Sequence, residues 1–373
     1  MRHGPLLVPF AFAVSTVFAT CLPAQQVEWW QKDLESGLAA SADSEAKLLL
    51  LYCFRDPDGN CSAMFSGTMS DEKVTPVLAT FVCMGAKQGD EAGKELQRRF
   101  HVEQLPTTLF LTPEGKVVDV IAGYVPVAEF LAEVDRIKKG DRTLAALREA
   151  AAAKPDDLAL QLDYMRKLRA TGDKPGSLQV IEAIVAKDPK CRKEPAAEAM
   201  LLRLTDEVFP PDSSPQSWDV EPLHAFLRQQ KNKRVLFLGY RRLAEAAYLQ
   251  EDLKNWAKFS EHAWKSIPAE EVKRWGQEHA TIACRHGKEL DAINKAILKL
   301  SLKISEKAFE VVEKEQAKAP DKPFLAYAMY LHAGVLKANG KRKEAFKLLD
   351  DAIAADPNNK DLKAAKDWWV QGN

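Results

Sequence analysis

The sequence predicts an α/β domain followed by an all-α domain of paired helices. Before residue 140, strand-length apolar runs alternate with amphipathic helical patterns. Among them, Lys47–Phe54 is continuously apolar after its lysine, and Thr107–Ile121 reads as two strands about a Pro113-Glu-Gly turn. After residue 140 helix endings recur at Ala153-Lys-Pro155, Lys187-Asp-Pro189 and Ala355-Asp-Pro357. The first two prolines stand 34 residues apart, the length of one stacked helical hairpin. The expected division is a leader at 1–24, an α/β domain at 25–140 and a helical repeat domain at 141–373.

The 373 residues carry 53 basic and 53 acidic side chains, so no global field draws the chain to nucleic acid or an anionic membrane. At 46% hydrophobic and 28% charged, it can bury real cores and is not a disordered tail. Arg2 and His3 precede an apolar run from Leu6 to Ala19, which ends in Cys21-Leu-Pro-Ala24 before a polar Gln25-Gln26. These are the parts of a secretory signal. The run is shorter than the roughly 20 residues of a membrane span. Cleavage after Ala24 is expected, giving an exported protein, periplasmic or secreted. Cys21 is a poor lipoprotein acceptor, because Phe18-Ala19-Thr20 lacks the usual aliphatic and small residues. Five cysteines remain after such a cut, Cys53, Cys61, Cys83, Cys191 and Cys284. An odd number leaves a free thiol or an intermolecular bridge. Several read simply as small buried hydrophobes.

Within 27–139 the elements follow in order. Trp30–Ala40 reads as a helix with Trp30, Leu34 and Leu38 on one face. Leu48–Leu51 belongs to a central strand covered on both sides. Thr80–Met84 is a second short strand, Glu91–Phe100 a charged helix, and the 107–121 hairpin follows. Phe130, Leu131, Val134 and Ile137 then mark a last amphipathic helix. This order, with Gly59-Asn-Cys61-Ser-Ala-Met64, Leu105-Pro106-Thr107-Thr108, Pro113-Glu-Gly-Lys-Val-Val118 and Gly123-Tyr124, resembles the thioredoxin fold, especially its secreted thioredoxin-like branch. The resemblance implies that Pro106 is cis and faces the redox position across a cleft, with Leu105, Pro106 and Asp58 as binding positions. A structural tight bend accounts for Pro106 equally well.

A thioredoxin needs two cysteines separated by two residues at a helix start. The helix N-terminus there lowers the first thiol's pKa, and the second thiol resolves the mixed disulfide. Aligned on Met64, Cys61 takes the resolving position and Asp58 the place of the attacking cysteine. Tyr52 stands where the family often has a buried acid, and Pro57 where it has tryptophan. An unshifted thiol is only about 3% thiolate at pH 7. Asp56 and Asp58 nearby raise the Cys61 pKa further. Cys53 is the one cysteine close in sequence, but it lies in the strand. A Cys53–Cys61 bridge requires the 55–60 loop to fold back until the Cα atoms stand within about 7 Å. Alternatively, Asp56-Pro-Asp-Gly-Asn-Cys61 is a turn into a helix with Asp58 or Asn60 as its N-cap. The alternation of Asp56, Asp58 and Asn60 resembles a calcium loop, but Gly67 stands where that loop needs glutamate.

In the second half, the unit 326–359 places Ala333 at the close helix approach, Gly340 at the turn, Ala345 at the second helix start and Leu349 and Ala352 inward. The unit ending near Pro189 has Met165, Leu168, Gly172, Ile181 and Ile184 in matching places, and 235–268 offers Leu243, Ala247 and Phe259. These patterns resemble tetratricopeptide (TPR) repeats, in which single units cannot bury their own apolar faces and must stack. Phe209-Pro-Pro-Asp-Ser-Ser-Pro-Gln-Ser217 breaks the array, and 292–319 reads as one long helix. On one helix Cys284 sits about 140–160° from His279 and His286, so they form no metal cluster. The basic runs 231–234 and 341–343 read as solvated helix ends, and Trp368-Trp369 as a cap on the last apolar face. There is no phosphate loop, zinc-protease motif or serine elbow.

The expected function is an exported thioredoxin-fold protein with a degenerate redox site, holding a protein or peptide partner, without cofactor, nucleic acid or membrane span. The alternative is a thiol-disulfide oxidoreductase or isomerase using Cys61, with Cys53 as its partner.

Overall fold

The computed structural model describes residues 29–30, 33–56, 58–102, 104–210, 212–317 and 322–371. The expected leader and Cys21 lie outside these residues, as does Pro57. Two compact units divide the chain, 1–177 and 178–373.

The first unit is built on a five-stranded sheet of order β1-β3-β2-β4-β5. Strands β1 (Trp29–Trp30), β2 (Leu49–Phe54) and β3 (Val82–Lys87) run parallel, while β4 (Thr107–Leu111) and β5 (Val117–Ala122) form the antiparallel hairpin. Alternation along β2 sorts its side chains between two cores. Leu50 and Tyr52 join Cys83, Phe110 and Ile121 on one face, under Met64, Leu78 of α3 (Thr75–Leu78) and the buried stripe Phe130, Val134 and Ile137 of α5 (Val127–Lys138). Leu49, Leu51 and Cys53 join Met84, Leu109 and Leu111 on the other, under Leu34 and Leu38 of α1 (Leu34–Ser41) and Leu96 of α4 (Glu91–Arg99). Both faces are covered, so β2 needs no polar residue.

The expected helix at Trp30–Ala40 starts later. Asp33 accepts from Ser36 N–H at 2.8 Å and fixes the helix start at Leu34, while Trp29 and Trp30 pair with Cys83 and Met84 as the edge strand. The second strand also runs on, to Lys87, beyond the expected Met84.

Two more helices, α6 (Leu144–Ala153) and α7 (Leu158–Ala170), pack against β5 within this unit. Asp119 of β5 is fully buried, and Arg136 of α5 donates to its Oδ2 at 2.8 Å, while Lys167 of α7 donates to Oδ1. A buried carboxylate is tolerated only when paired in this way. At the end of α7, Gly172 has φ of +84° and a Cβ there would stand 2.7 Å from Cβ of His101, so both the turn and the packing require glycine.

The rest of the chain is helical. α8 (Lys174–Lys187) spans the division, and α9 (Glu194–Val208), α10 (Glu221–Gln229), α11 (Lys233–Leu249), α12 (Leu253–Ser266), α13 (Val272–Arg285), α14 (Gly287–Ile293), α15 (Lys295–Gln316), α16 (Lys322–Ala338), α17 (Arg342–Ala355) and α18 (Lys360–Val370) follow. α11 packs on α12 and α16 on α17 as helix pairs. Ala333, Ala345, Leu349 and Ala352 are buried, and Gly340 takes φ of +76° at the α16–α17 turn. The long helix expected at 292–319 begins at Lys295, because Asn294 caps it by accepting from Ala296 N–H at 2.9 Å. Of the final tryptophan pair only Trp369 is buried, against Tyr330 and Phe346; Trp368 is exposed, as adjacent helix positions face different ways. No helix among the described residues is long and apolar enough to cross a membrane.

Candidate functional site

The candidate site forms where β2 ends. After Phe54 the chain passes Arg55 and reaches Asp58, the N-cap of a short helix, α2 (Gly59–Ser62), which continues as a π-helical stretch through Ala63–Met69. Cys61 N–H donates to Asp58 Oδ1 at 3.0 Å, and Arg55 Nη2 donates to Oδ2 at 2.8 Å. Both carboxylate oxygens are therefore engaged. The Arg55 guanidinium first, then the Cys61 amide, hold the Asp58 carboxyl down at about 2. Asp58 is thus anionic at any physiological pH, at the start of the helix that carries Cys61.

Cys61 is buried. Its sulfur accepts from Arg55 N–H at 3.5 Å, and burial, reinforced by Asp58, pushes its thiol pKa up despite that donor. Beneath it, the Tyr52 hydroxyl donates to the Cys61 carbonyl at 2.9 Å. A carboxylate in that place would accept the thiol proton, whereas this phenol spends its own proton on the backbone. Burial keeps the phenol protonated, raising its pKa. Thr108 pairs with Tyr52 across the sheet, and its Oγ1 is buried without a hydrogen-bond partner.

Cys53 does not join Cys61. It points into the α1/α4 core, opposite the face on which Tyr52 reaches Cys61, and all five described cysteines are free thiols. Burial pushes Cys53 and Cys83 up to about 12 each. Fold-back of the 55–60 loop is defeated by the period of the strand, which sends residues 52 and 53 to opposite faces.

The Leu105–Pro106 bond is cis. Pro106 is buried, and its carbonyl accepts from Gly123 N–H at 2.8 Å, tying the proline loop to the end of β5. Leu105 leans into the α1/α4 core and is only partly exposed. Thr68 Oγ1 donates to the Val125 carbonyl at 2.7 Å, tying the π-helical stretch to the same segment. Two large side chains stand out from these joined pieces, Phe65 at 44% and Tyr124 at 47% exposure, with Phe65 stacked on Tyr52 at 6.3 Å. The sequence does not mark Arg55 or Phe65 as site residues. The only signal for Arg55 was a base three residues before the N-cap acid, and for Phe65 an aromatic beside the aligned Met64.

His279 and Cys284 are separated as the helical wheel predicts. His279 Nε2 lies 2.9 Å from Ser301 Oγ, and the Cys284 thiol donates to the Leu331 carbonyl at 3.1 Å.

Residues 39–138 match the family model of the thioredoxin-like domain. Among solved structures, a solution structure of a thioredoxin from Thermus thermophilus is 28% identical, covering 29% of this chain and 86% of that one, with a TM-score of 0.26. No curated protein matches the chain. The chain thus carries a thioredoxin-like domain followed by an all-helical region.

Proposed function

We propose that the thioredoxin-like domain is redox-silent and holds a polypeptide segment in the cleft beside cis-Pro106, within an exported protein whose helical region is a TPR-like array. The observation that carries this is Asp58. Dithiol exchange needs an attacking thiolate to open the substrate disulfide and a second thiol to release it. Here the position aligned with the attacking cysteine holds a carboxylate bound by Arg55 and by the helix it caps, and Cys61 has no sulfur partner among the described residues. The binding half of the site retains its parts: the cis-proline loop, and the exposed Phe65 and Tyr124 on segments bonded to one another. An extended peptide can use main-chain bonds at such a loop and lay side chains on the aromatic rings. The repeat reading is supported by the 34-residue proline spacing and by glycine turns at 172 and 340 with positive φ.

Insulin reduction by the purified protein in dithiothreitol, with Cys61→Ser as control, tests the silent-site reading. The wild type should show the same rate as the variant. Turnover that disappears with Cys61→Ser would establish the oxidoreductase alternative.

A further inference from the structure

The proline-rich break between α9 and α10 is more than a connection. It folds into a pocket of about 280 Å³, lined by Glu207 and Val208 from the end of α9, Pro210, Ser213, Ser217, Trp218 and Asp219 from the break, and Pro222. We propose that this pocket is a binding site for a basic side chain, arginine or lysine, presented by a polypeptide partner. The site is independent of the cis-proline cleft and stands whether or not that cleft binds peptide.

The pocket is built rather than incidental. A 3₁₀ turn at Pro215–Ser217 is capped by Ser214, and Gln250, the C-cap of α11, donates to the carbonyls of Pro215 and Trp218 at 2.8 and 3.2 Å. The Trp218 indole donates through Nε1 to Ser213 Oγ at 2.8 Å and meets Phe209 edge-on at 5.0 Å, so the ring is fixed from two sides. The Ser214 cap and the Gln250 bonds fix the loop backbone, and the Ser213 and Phe209 contacts hold the indole.

Charge selects the occupant. Two carboxylates line the pocket with the indole. Glu207 shares Oε1 with Arg203 at 3.3 Å, while Asp219 uses Oδ1 to accept from Glu221 N–H at 3.1 Å and has no cationic partner among the described residues. Among the described residues no cation lines the pocket; Arg203, paired with Glu207, and Arg242, 4.8 Å over the Phe209 ring, stand behind its wall. An indole beside two carboxylates attracts a cation through the ring quadrupole and through direct pairing, and arginine's planar guanidinium satisfies both. Pre-organisation of the ring and loop removes part of the ordering cost of binding.

The test uses the full chain, labelled with ¹⁵N, titrated with Nα-acetyl-arginine amide, its neutral isostere Nα-acetyl-citrulline amide, and a blocked Gly-Ser-Arg-Ser-Gly peptide. The Trp218 Nε1–H resonance, identified by its loss in Trp218→Phe, is the reporter. Arginine amide and the peptide should shift it saturably, more weakly at high salt, and citrulline amide should not. Asp219→Asn and Glu207→Gln, which keep side-chain shape and, at 219, the oxygen that accepts from Glu221 N–H, should each weaken arginine-amide binding by about two- to fivefold. Equal response to citrulline, or unchanged affinity in both carboxamide variants, overturns the cation site. Binding of arginine amide without binding of the peptide overturns the polypeptide partner.

Discussion

His279 makes the helical region acid-sensitive, by an amount its surroundings fix. The imidazole is buried on α13, stacked on Trp256 at 4.7 Å and beside Trp275 at 5.4 Å. Ser301 Oγ donates to the Ile297 carbonyl at 3.0 Å, so it accepts from His279 Nε2–H, leaving Nδ1 as a buried acceptor without a partner. Protonation would place an uncompensated charge there, and burial drives the pKa from 6.5 down to about 3. The unfolded chain therefore binds this proton first. Above pH 6.5 the group is neutral in both states and contributes nothing. As pH falls through the window between 6.5 and 3, stability is lost at about 1.36 kcal/mol per unit. At pH 5 the loss is about 2 kcal/mol. Urea unfolding of the full chain followed by tryptophan fluorescence, at pH 7 and pH 5, measures it, because Trp256 and Trp275 report the site directly. His279→Gln cannot titrate, and whatever stability it loses to poorer packing is lost at both pH values. His224, His262 and His332, whose pKa values are also lowered by burial, contribute equally to wild type and variant and cancel in the difference. The gap between wild type and His279→Gln should shrink by about 2 kcal/mol from pH 7 to pH 5. A gap that stays constant refutes the reasoning.

Asp58→Asn keeps the capping oxygen but removes the charge that raises the Cys61 pKa, so the pH midpoint of Cys61 alkylation should move down; Asp58→Ala should instead lose the cap and about 1 kcal/mol of stability in chemical unfolding. Asp119→Ala strips the shared partner from Arg136 and Lys167 and should destabilise the first unit by about 3 kcal/mol in the same assay, since both cations stay largely buried and Arg136 keeps only Glu133 as a carboxylate partner.

What the sequence shows depends on the reach of each contact. β2 and the β4–β5 hairpin were legible because a strand buried on both faces, or a turn between two strands, writes its signature in consecutive residues. β1 was not, since two residues carry no period and Trp29–Trp30 are strand only by virtue of Cys83 and Met84, more than fifty positions away. Asp58 as a helix N-cap was legible in the turn before Cys61, but its clamp by Arg55 was not, because that contact depends on the path of the intervening loop. The Asp119–Lys167 pair crosses from a strand into a helix 48 positions later, across the expected domain boundary, and nothing local marks either residue. Trp218 likewise sat in a stretch legible only as a break, since its partners Gln250 and Phe209 converge in space rather than along the chain.

The three departures at the site support one another on the proposed reading. A helix start favours negative charge, which is the same physics that turns a family thiol into a thiolate. Asp58 supplies that charge permanently, with a carboxyl held at about 2, so the helix is capped without any redox-active atom. Once no mixed disulfide can form there, nothing is gained by a buried base to deprotonate Cys61, and a tyrosine that bonds the Cys61 carbonyl and fills the space against Phe54 and Phe65 serves the fold better. Replacing Asp58 with cysteine should for that reason not give efficient turnover alone: the Cys61 thiol would still be buried with a raised pKa above a phenol that cannot take its proton. Insulin reduction by Asp58→Cys should stay well below that of Asp58→Cys combined with Tyr52→Asp, and equal rates would show that Tyr52 plays no part in silencing the site.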